Sequence, residues 1–422
     1  MGERALVSVR TLGCKVNQAE SDAISAELAG LGIGVAGGAD AQVVVVTTCT
    51  VTGEADHKAR KAIRQALALP GSPMVVVTGC LAVIDPAGLA ALGPRIVVEA
   101  DKSAVAALVA RHVGAAGHPP APIARQRTRA RAQVKVQDGC DTFCTYCIVP
   151  HARGVPRSIP SGRVLDEVRG LVAAGVTEVV LTGINIGRYR DGNTDLADLI
   201  EAVAATGVPR VRVSSVEPGD VSERLLASAA RTGAFCRHLH IPLQSGCERT
   251  LQAMGRPYST ARYRSVVEAA RRVLPGVAIT TDVIAGFPGE TESDAAESLS
   301  FVRAMGFARL HVFRYSVREG TRAALLPGQV PAPTKAERAT AMRQLGAELV
   351  GEFTASAVGT TVEVLTERVA SGDLQGHAMA EGTSREYLRV RFPAGDAAPE
   401  TLQRVVIAAA AGDGWAVGER AE

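Results

Sequence analysis

The sequence predicts an α/β protein with three parts: an N-terminal Rossmann-like parallel sheet, a central partial (β/α)6 barrel and a small antiparallel β-barrel. Three observations predict this class. Short β-branched runs alternate with amphipathic segments up to residue 113, the same alternation restarts at Val134, and closely spaced short strands replace it after Gly359. At 422 residues, the chain has room for two to four domains.

The first segment, residues 1–113, is predicted to form strands separated by helices. The predicted strands are Ala5–Val9, Val43–Val46 and Val75–Val77, and the predicted helices are Gln18–Leu31 and Glu54–Leu69. Such a pattern is typical of a parallel sheet that helices cover on both faces. Residues 114–133 contain several prolines and the alternating arginines of Arg125–Arg131, so they are predicted to be a linker.

Residues 134–356 repeat a strand–helix pattern six times, which indicates a barrel. The predicted strands are Val134–Gln137, Glu178–Leu181, Arg210–Ser214, Leu239–Pro242, Ala278–Asp282 and Ala308–Phe313, and the clearest helices are Arg163–Ala174, Thr260–Val273 and the closing Lys335–Phe353. In the last segment, residues 357–422, Thr361–Leu365 and Tyr387–Phe392 are predicted strands of a small β-domain. Ala378–Arg385 is interpreted as an insertion in that domain.

The composition excludes several classes of protein. The net charge is +3, with 47% hydrophobic and 21% charged residues, which excludes a disordered chain, a collagen-like chain and an acidic tail protein. The chain contains no apolar run of about 18 residues, and its first ten residues lack the apolar region of a signal peptide. We therefore expect a cytoplasmic protein that does not associate with a membrane.

Cys140, Cys144 and Cys147 have the spacing C-x3-C-x2-C and directly follow the first barrel strand. We call them the loop trio. Three thiolates on one short loop can ligate three irons of a cubane cluster and leave the fourth iron open for a ligand. The alternative is a Cys3His zinc site completed by His151. The position at the C-terminal end of a barrel strand, where catalytic groups gather, favours the iron–sulfur cluster.

Cys14, Cys49 and Cys80, which we call the sheet trio, lie far apart in the sequence, but each falls near the C-terminal end of a predicted parallel strand. Ligands bind at that edge of an open α/β sheet, so the three thiols are expected to converge on one crevice and form a second metal site. Buried thiols without a function are the alternative for any one of them. Cys236 and Cys247 lack metal-ligand spacing and are interpreted as ordinary thiols.

The loop trio resembles the signature of the radical S-adenosylmethionine (SAM) superfamily, and the chain as a whole resembles its methylthiotransferases. The matching motifs are Thr11–Gln18, Gln137–Gly154, Ser214–Pro218, His238–Gly246 and Asp282–Glu290. Leu12–Asn17 (Leu-Gly-Cys-Lys-Val-Asn) resembles the branch that modifies N6-threonylcarbamoyladenosine at position 37 of tRNA, as do Gly372–His377 and Tyr387–Val390 in what would be a TRAM barrel. Two positions depart from the usual pattern: Thr47, where the family usually has Asn, and Leu81–Val83, where it has an aromatic residue followed by Ala-Gln.

The resemblance implies two [4Fe–4S] clusters. The loop trio would hold the cluster that binds S-adenosyl-L-methionine and releases a 5′-deoxyadenosyl radical, which abstracts hydrogen from adenine C2. The sheet trio would hold an auxiliary cluster that delivers a methylated sulfur to C2. Six residues at or just beyond barrel strand ends are expected to contact the cofactor: Gly183, Asn185, Ser214, Glu217, Gln244 and Asp282. Loop or cap hydrogen bonding is the alternative role for Asn185, Glu217 and Gln244. His238 and His240 share one face of a strand, which is either the barrel lumen or the core.

The implied partners are the anticodon stem-loop of tRNA and a one-electron donor of the flavodoxin or ferredoxin kind. Because the net charge is small, the tRNA contact must be local. The candidates are Arg125–Arg131, for which a solvated linker is the alternative, and the group Arg153, Arg157 and Arg163. Other interpretations keep the chemistry but change the target to isopentenyladenosine in tRNA or to an aspartate of a ribosomal protein. A non-catalytic, zinc-bearing RNA-binding protein is the alternative of a different class.

Overall fold

The computed structural model describes residues 6–37, 40–115, 130–370 and 378–421. The chain forms two compact units that do not follow the order of the sequence. The first comprises Met1–Thr128, Gly139–Val155 and Ser316–Thr321, and the second comprises Arg129–Asp138, Pro156–Tyr315 and Arg322–Glu422. No helix in the described ranges is long and apolar enough to cross a membrane.

The first unit is built on a parallel sheet with the strand order β2-β1-β3-β4-β5. Its strands are β1 (Leu6–Thr11), β2 (Gly34–Val35), β3 (Val43–Thr48), β4 (Met74–Gly79) and β5 (Ile96–Val98), and its helices are α1 (Lys15–Gly30), α2 (Gly53–Leu67), α3 (Cys80–Ile84), α4 (Pro86–Ala90), α5 (Val105–His112) and α6 (Val149–Arg153), with a 3-10 turn at Lys102–Ala104. Strand β3 is buried on both faces: Val43 and Val45 pack with Ile24 and Leu28, and Val44 and Val46 pack on the opposite side with Ile63 and Ala59. This double burial explains its uninterrupted β-branched sequence.

The second unit contains six parallel strands in chain order. They form two three-stranded sheets, β6-β9-β12 and β13-β14-β15, which are connected by parallel bridges between Val211 and Phe235 and between Ser215 and His240. The strands of this part are β6 (Arg131–Lys135), β7 (Gln137–Asp138), β8 (Arg157–Ser158), β9 (Glu178–Thr182), β10 (Arg190–Asp191), β11 (Thr194–Asp195), β12 (Arg210–Val213), β13 (His238–His240), β14 (Ala278–Ala285) and β15 (Arg309–Arg314). Among the described residues β6 does not pair with β15, so the barrel is open, as a partial (β/α)6 barrel requires.

Helices surround these six strands. They are α7 (Ser161–Ala173), α8 (Leu196–Ala204), α9 (Glu223–Arg231), α10 (Glu248–Ala253), α11 (Thr260–Val273), α12 (Glu292–Met305) and α13 (Ala332–Ser356), with 3-10 turns at Ile186–Arg188, Pro218–Asp220 and Arg322–Leu325. Helix α11 has the bounds that its sequence pattern predicted. The first barrel strand begins at Arg131, inside the segment predicted to be a linker, and residues 116–129 of that segment lie outside the described residues.

The C-terminal part of the second unit is a closed five-stranded barrel with the order β16-β17-β18-β20-β19. Its strands are β16 (Thr361–Ala370), β17 (Met379–Ser384), β18 (Arg389–Pro393), β19 (Leu402–Ala410) and β20 (Ala416–Arg420). The fold class predicted from the sequence is therefore confirmed. The interpretation of Ala378–Arg385 as an insertion is wrong, because Met379–Ser384 is a strand paired with both β16 and β18. Its small and polar residues have low β-propensity, so the pattern did not reveal it.

Candidate active site

The sheet trio lies at the C-terminal ends of three adjacent strands of the first unit. Cys14 follows β1 as the N-cap residue of α1, Cys49 directly follows β3, and Cys80 is the first residue of α3 after β4. Burial raises the pKa of the Cys49 thiol to about 11, and the neighbouring sulfurs of Cys14 and Cys80 add to the increase. The three thiols are therefore close enough to interact, and a metal would have to displace their protons.

Two glycines allow this close approach. Gly13 has φ +105°, and a Cβ there would lie 2.5 Å from the Cβ and 2.9 Å from the Sγ of Cys49. Gly79 has φ +95°, and a Cβ there would collide with the backbone oxygen of Thr48. Both glycines directly precede a cysteine of the sheet trio. The position of that cysteine therefore depends on a positive φ, which residues with a Cβ rarely adopt.

The loop trio is in the same compact unit, on the segment that leads into α6. The Cys140 N–H donates to the Gly154 oxygen at 3.0 Å, and the Cys147 N–H donates to the Cys144 oxygen at 3.0 Å. The Thr142 N–H also points to the Cys140 Sγ, 3.5 Å away. Two backbone hydrogen bonds and one contact to a sulfur therefore stabilise the conformation of the loop.

The spacing of the thiols argues against a single metal ion. In the described chain, no three ligand atoms of Cys140, Cys144, Cys147 and His151 lie within 4.8 Å of one another, and the same holds for the sheet trio. A tetrahedral zinc site would bring its sulfurs to about 3.8 Å, whereas in a cubane cluster each thiolate ligates a different iron. No cysteine of the chain is in a disulfide. Among the described residues, the thiols of each trio are therefore not arranged as the ligands of a single zinc ion.

Arg153, the last residue of α6, is inserted into the sheet-trio site. Its Nε donates to the Sγ of Cys80 at 3.2 Å, its Nη1 to Glu20 Oε1 at 2.8 Å, and its Nη2 to Asn17 Oδ1 at 2.6 Å and to Glu20 Oε2 at 3.1 Å. The side chains of Arg153 and Glu20 are only 1% and 6% exposed. The expectation that Arg153 contacts tRNA is therefore wrong, because its guanidinium is buried and ion-paired, while Arg157 and Arg163 are exposed.

The residue at one of the two family departures, Thr47, has a partner in the same unit. Its hydroxyl accepts a hydrogen bond from the Ser21 hydroxyl at 2.8 Å. Asn17, three residues after Cys14, donates to the backbone oxygens of Leu12 at 2.7 Å and Thr48 at 2.8 Å. Helix α1 is thereby fixed to the ends of both β1 and β3.

In the second unit, five of the six expected cofactor contacts follow strand ends, whereas Asp282 lies inside β14, which continues to Ala285 instead of ending at Asp282. Gly183 and Asn185 follow β9, where Gln137 Oε1 accepts the N–H groups of Ile184 at 3.0 Å and Asn185 at 2.8 Å. Within the described residues, Asn185 Oδ1 and Ser214 Oγ are buried without a hydrogen-bond partner. An unsatisfied buried polar atom costs about 1–3 kcal/mol, so these oxygens are candidates for ligand contact.

Glu217 and Gln244 differ from these two. Arg256 forms an ion pair with Glu217, and burial raises the pKa of this carboxyl although the guanidinium opposes the increase. Gln244 has φ +70°, and its backbone bonds to Asp282 at 2.8 Å and to Ile284 at 2.9 Å. A left-handed non-glycine residue that the surrounding structure holds in place is a common feature of functional sites.

Asp282 lies between two histidines. Its Oδ1 is 3.2 Å from His240 Nε2 and 3.1 Å from His311 Nδ1. Burial would raise the pKa of Asp282, but the hydrogen bonds from His240 and His311 outweigh it and lower the pKa. Thr280 Oγ1 lies 2.9 Å from ring nitrogens of both His238 and His240, so the two histidines predicted to share a face do share one partner. Sequence reasoning missed His311, although it is on the predicted strand Ala308–Phe313.

Three arginines of the second unit line a cavity of about 460 Å³: Arg309 on β15, Arg343 on α13 and Arg389 on β18. Burial and the charge of Arg389 lower the pKa of Arg309. In the described ranges none of the three forms an ion pair, and Arg389 stacks on Trp415 with its Cζ 4.6 Å from the ring centroid. We call this cavity the arginine cleft. Of the predicted basic run, Arg131 pairs with Glu367 at 2.6 Å and residues 125–129 lie outside the described ranges.

Two family models match parts of the chain. Residues 134–302 match the Radical SAM superfamily, and residues 6–99 match a family described as uncharacterized protein family UPF0004. A solved structure of a radical S-adenosylmethionine methyltransferase, TsrM from Kitasatospora setae, is similar with a TM-score of 0.56 and 14% identity, covering 76% of this chain and 77% of that chain. At this identity the similarity concerns the fold alone.

Two similar curated proteins extend over nearly the whole chain. The threonylcarbamoyladenosine tRNA methylthiotransferase MtaB of Chlamydia pneumoniae is 35% identical over 93% of this chain and 93% of its own length. The tRNA-2-methylthio-N(6)-dimethylallyladenosine synthase of Frankia casuarinae is also 35% identical, over 92% of this chain and 76% of its own length. The resemblance seen in the motifs is thus confirmed, and the chain belongs to the radical SAM tRNA methylthiotransferase family.

Proposed function

We propose that this enzyme methylthiolates C2 of N6-threonylcarbamoyladenosine at position 37 of tRNA and so produces 2-methylthio-N6-threonylcarbamoyladenosine. The observation that carries the proposal is the presence of two separate cysteine trios in one compact unit, in a chain whose whole-length relatives are tRNA methylthiotransferases. A non-catalytic zinc protein does not account for that kinship. The functional divisions that we propose are residues 1–113, 134–356 and 357–422, with a linker at 114–133.

In this proposal each trio holds one [4Fe–4S] cluster, and the loop trio leaves one iron for S-adenosyl-L-methionine. When bound, the clusters and S-adenosylmethionine supply the radical and sulfur-transfer chemistry, which protein side chains cannot perform. The chain binds and orients these groups. Gly13 and Gly79 admit the sheet-trio cysteines to one crevice, and the backbone bonds of Cys140 and Cys147 fix the loop.

The expected contacts of S-adenosylmethionine remain Gly183, Asn185, Ser214, Glu217, Gln244 and Asp282. Asn185 and Ser214 have the strongest support, because each offers a buried oxygen that lacks a partner within the described residues. Glu217 and Asp282 already have cationic or histidine partners, so we expect them to contact the cofactor through their remaining lone pairs.

The choice of substrate rests on the Leu12–Asn17 motif and on the relatives named MtaB, since relatives of both substrate classes are about equally identical to this chain. Because the net charge is small, the tRNA contact must be local. We propose that this contact is the arginine cleft, which binds phosphates of the tRNA anticodon stem-loop. A flavodoxin- or ferredoxin-like protein would supply electrons, and the reaction would take place in the cytoplasm.

The test is to express the chain in a bacterial strain that lacks its own enzymes for both methylthiolated adenosines, and to analyse tRNA nucleosides by mass spectrometry. We expect 2-methylthio-N6-threonylcarbamoyladenosine with the wild type and with Cys236→Ala, a buried thiol outside both trios. Cys14→Ala and Cys144→Ala should abolish it. Formation of the methylthiolated isopentenyladenosine alone would show that the substrate assignment is wrong, and product formation by Cys144→Ala would contradict the proposed chemistry.

A further inference from the structure

Arg153 connects the loop that carries one trio to a cysteine of the other trio. It follows Cys147 by six residues and ends α6, yet its Nε lies 3.2 Å from the Sγ of Cys80. The same guanidinium forms a two-pronged ion pair with Glu20, at 2.8 and 3.1 Å, and donates to Asn17 at 2.6 Å. Asn17 and Glu20 of α1 and Cys80 at the start of α3 all bind the guanidinium, so it has little freedom to rotate away.

Three charged side chains lie near Cys80, and two of them, Arg153 and Glu20, are buried. Arg153 and Lys102 are cationic, and Glu20 is the carboxylate between them, with Lys102 Nζ 3.4 Å from Glu20 Oε1. Salt screens buried charges much less than exposed ones, so the buried Arg153 and Glu20 act more strongly here than surface charges would, while Lys102 is 21% exposed. A thiolate that ligates iron is a hydrogen-bond acceptor, and hydrogen bonds to cluster sulfurs together with local charge set the reduction potential of an iron–sulfur cluster.

We propose that Arg153 is a positioning residue with two effects: it anchors the loop trio to the sheet-trio site, and it raises the reduction potential of the cluster that Cys80 holds. The inference rests on the proposed function, because it requires a cluster at the sheet trio. One-electron reduction adds a negative charge to the cluster. A fixed cation beside one ligand favours that reduced state, and the carboxylate of Glu20 opposes it, so the two residues act with opposite sign.

The position of Arg153 in the chain supports the first effect. It belongs to the loop segment Gly139–Val155, and its hydrogen bond to Cys80 joins that segment to a sheet-trio sulfur. Asn17 receives one of its bonds and itself donates to the backbone at the ends of β1 and β3. The loop is thereby tied directly to α1 and α3 and, through Asn17, to the ends of β1 and β3.

The test uses the full chain with Cys140, Cys144 and Cys147 all replaced by Ala, so that only the sheet trio can hold a cluster. After anaerobic reconstitution, the cluster is titrated with dithionite as the electron source in the presence of redox mediators. Electron paramagnetic resonance then gives the midpoint potential of the one-electron couple. The variants compared in this background are Glu20→Gln, Arg153→Lys and the pair Arg153→Met with Glu20→Gln, which avoids leaving a lone buried carboxylate.

Glu20→Gln should shift the midpoint to a more positive potential, because it removes the negative charge and keeps a hydrogen-bond acceptor. Adding Arg153→Met should shift it back to a more negative value than Glu20→Gln alone, and Arg153→Lys should stay near the parent. Arg60→Met removes a more exposed arginine of the same unit, bonded to Asp85 and Gly88, and should leave the midpoint unchanged. Equal midpoints for Glu20→Gln and the double variant would overturn the electrostatic effect.

Anchoring is measured in the enzyme with both trios intact. Arg153→Met with Glu20→Gln should release more 5′-deoxyadenosine for each modified nucleoside than the wild type, because the two sites lose their common anchor. Arg153→Lys should restore part of the coupling. An unchanged ratio in the double variant would overturn this effect. If the proposed function itself is wrong, the result is different. The chain with Cys140, Cys144 and Cys147 replaced by Ala would then assemble no cluster, and the inference about Arg153 would be refuted as well.

Discussion

Gly13 and Cys49 are in contact at the edge of the N-terminal sheet, and this contact leaves no room for a side chain on Gly13. A Cβ would lie 2.5 Å from one carbon of Cys49 and 2.9 Å from its sulfur, at a φ of +105° that favours glycine. The position of Cys14, the next residue, depends on the same backbone turn. Gly13, which has no side chain to bind a metal, therefore helps to determine the geometry of the sheet trio.

Gly13→Ala should therefore impair the auxiliary site without unfolding the chain. We expect anaerobically reconstituted Gly13→Ala protein to contain about half the iron and sulfide of the wild type, since only the loop trio still holds its four irons. Gly37→Ala is the matched control, because a Cβ there meets nothing within 4 Å and its φ is not positive. Full iron content in Gly13→Ala would show that the crevice adapts to a side chain.

At this scale the sequence predicts the thiols but not their surroundings. The loop trio is indicated by its C-x3-C-x2-C spacing, and the sheet trio by hydrophobic periodicity, which marks where the strands before its cysteines end. The contacts of Arg153 could not be recognised, because its partner Glu20 is 133 residues away and only tertiary packing, in which α6 contacts α3, brings them together. The same is true of Asp282 and His311, which meet through the register of two parallel strands.

At the scale of elements, a buried ion cluster ties the bottom of the partial barrel to the C-terminal β-barrel. Glu178 on β9 is 2.8 Å from both Arg210 and Arg212 on β12, with all three side chains at most 1% exposed. The two arginines also donate to backbone oxygens at the end of β17 and just after it: Arg210 to Thr383, and Arg212 to Ser384 and Arg385. The strand pattern alone gave no sign that these arginines point inward.

Glu178→Gln should destabilise the protein by about 3–5 kcal/mol, because it leaves two buried guanidiniums without their counter-ion. Burial alone would raise the pKa of Glu178, but Arg212 and Arg210 outweigh it and lower the pKa from 4.5 to about 2. A carboxyl whose pKa is lowered by folding stabilises the folded state above its unfolded pKa. The contribution, roughly 3 kcal/mol, should disappear as the pH falls from about 4.5 to about 2.

Urea unfolding followed by circular dichroism between neutral and acid pH measures both effects. The wild type should lose stability over that acid range more steeply than Glu178→Gln. Glu201→Gln is the control, since its ion pair with Arg231 is 45–64% exposed and should be worth less than about 1 kcal/mol. Equal pH profiles for wild type and Glu178→Gln would refute the assigned charge state of the cluster.

At the scale of the whole molecule, the proposed tRNA binding would depend on a few arginines drawn from distant parts of the chain. Replacing Arg309, Arg343 and Arg389 together with Ala should weaken the binding of a tRNA anticodon stem-loop. The slope of the logarithm of the binding constant against the logarithm of the salt concentration should decrease in magnitude by about one for each phosphate that the variant no longer neutralises. Arg272→Ala, an exposed arginine on α11, should have little effect. Fluorescence anisotropy at several salt concentrations tests this, and an unaltered slope would exclude the arginine cleft as a phosphate site.

The sequence predicts the three-part architecture well and the division into compact units poorly. Periodicity reveals long, regular elements such as α11 but not two- or three-residue strands such as β2 and β5, which contain too few residues for a pattern. Ser316–Thr321 belongs to the first unit although it follows the last barrel strand. The reason is tertiary: Arg318 is 2.7 Å from Asp56, and the Ser316 hydroxyl accepts the Gly53 N–H at 2.9 Å.

The presence of two four-iron clusters in this one chain, each on its own cysteine trio, is the prediction on which the proposed function most depends. It is tested most directly by the iron and acid-labile sulfide content of three anaerobically reconstituted proteins: the wild type, the variant with Cys14, Cys49 and Cys80 replaced by Ala, and the variant with Cys140, Cys144 and Cys147 replaced by Ala. We expect about eight irons per wild-type chain and about four in each variant. Four irons or fewer in the wild type, or zinc in place of iron, would show that the chain does not hold two such clusters.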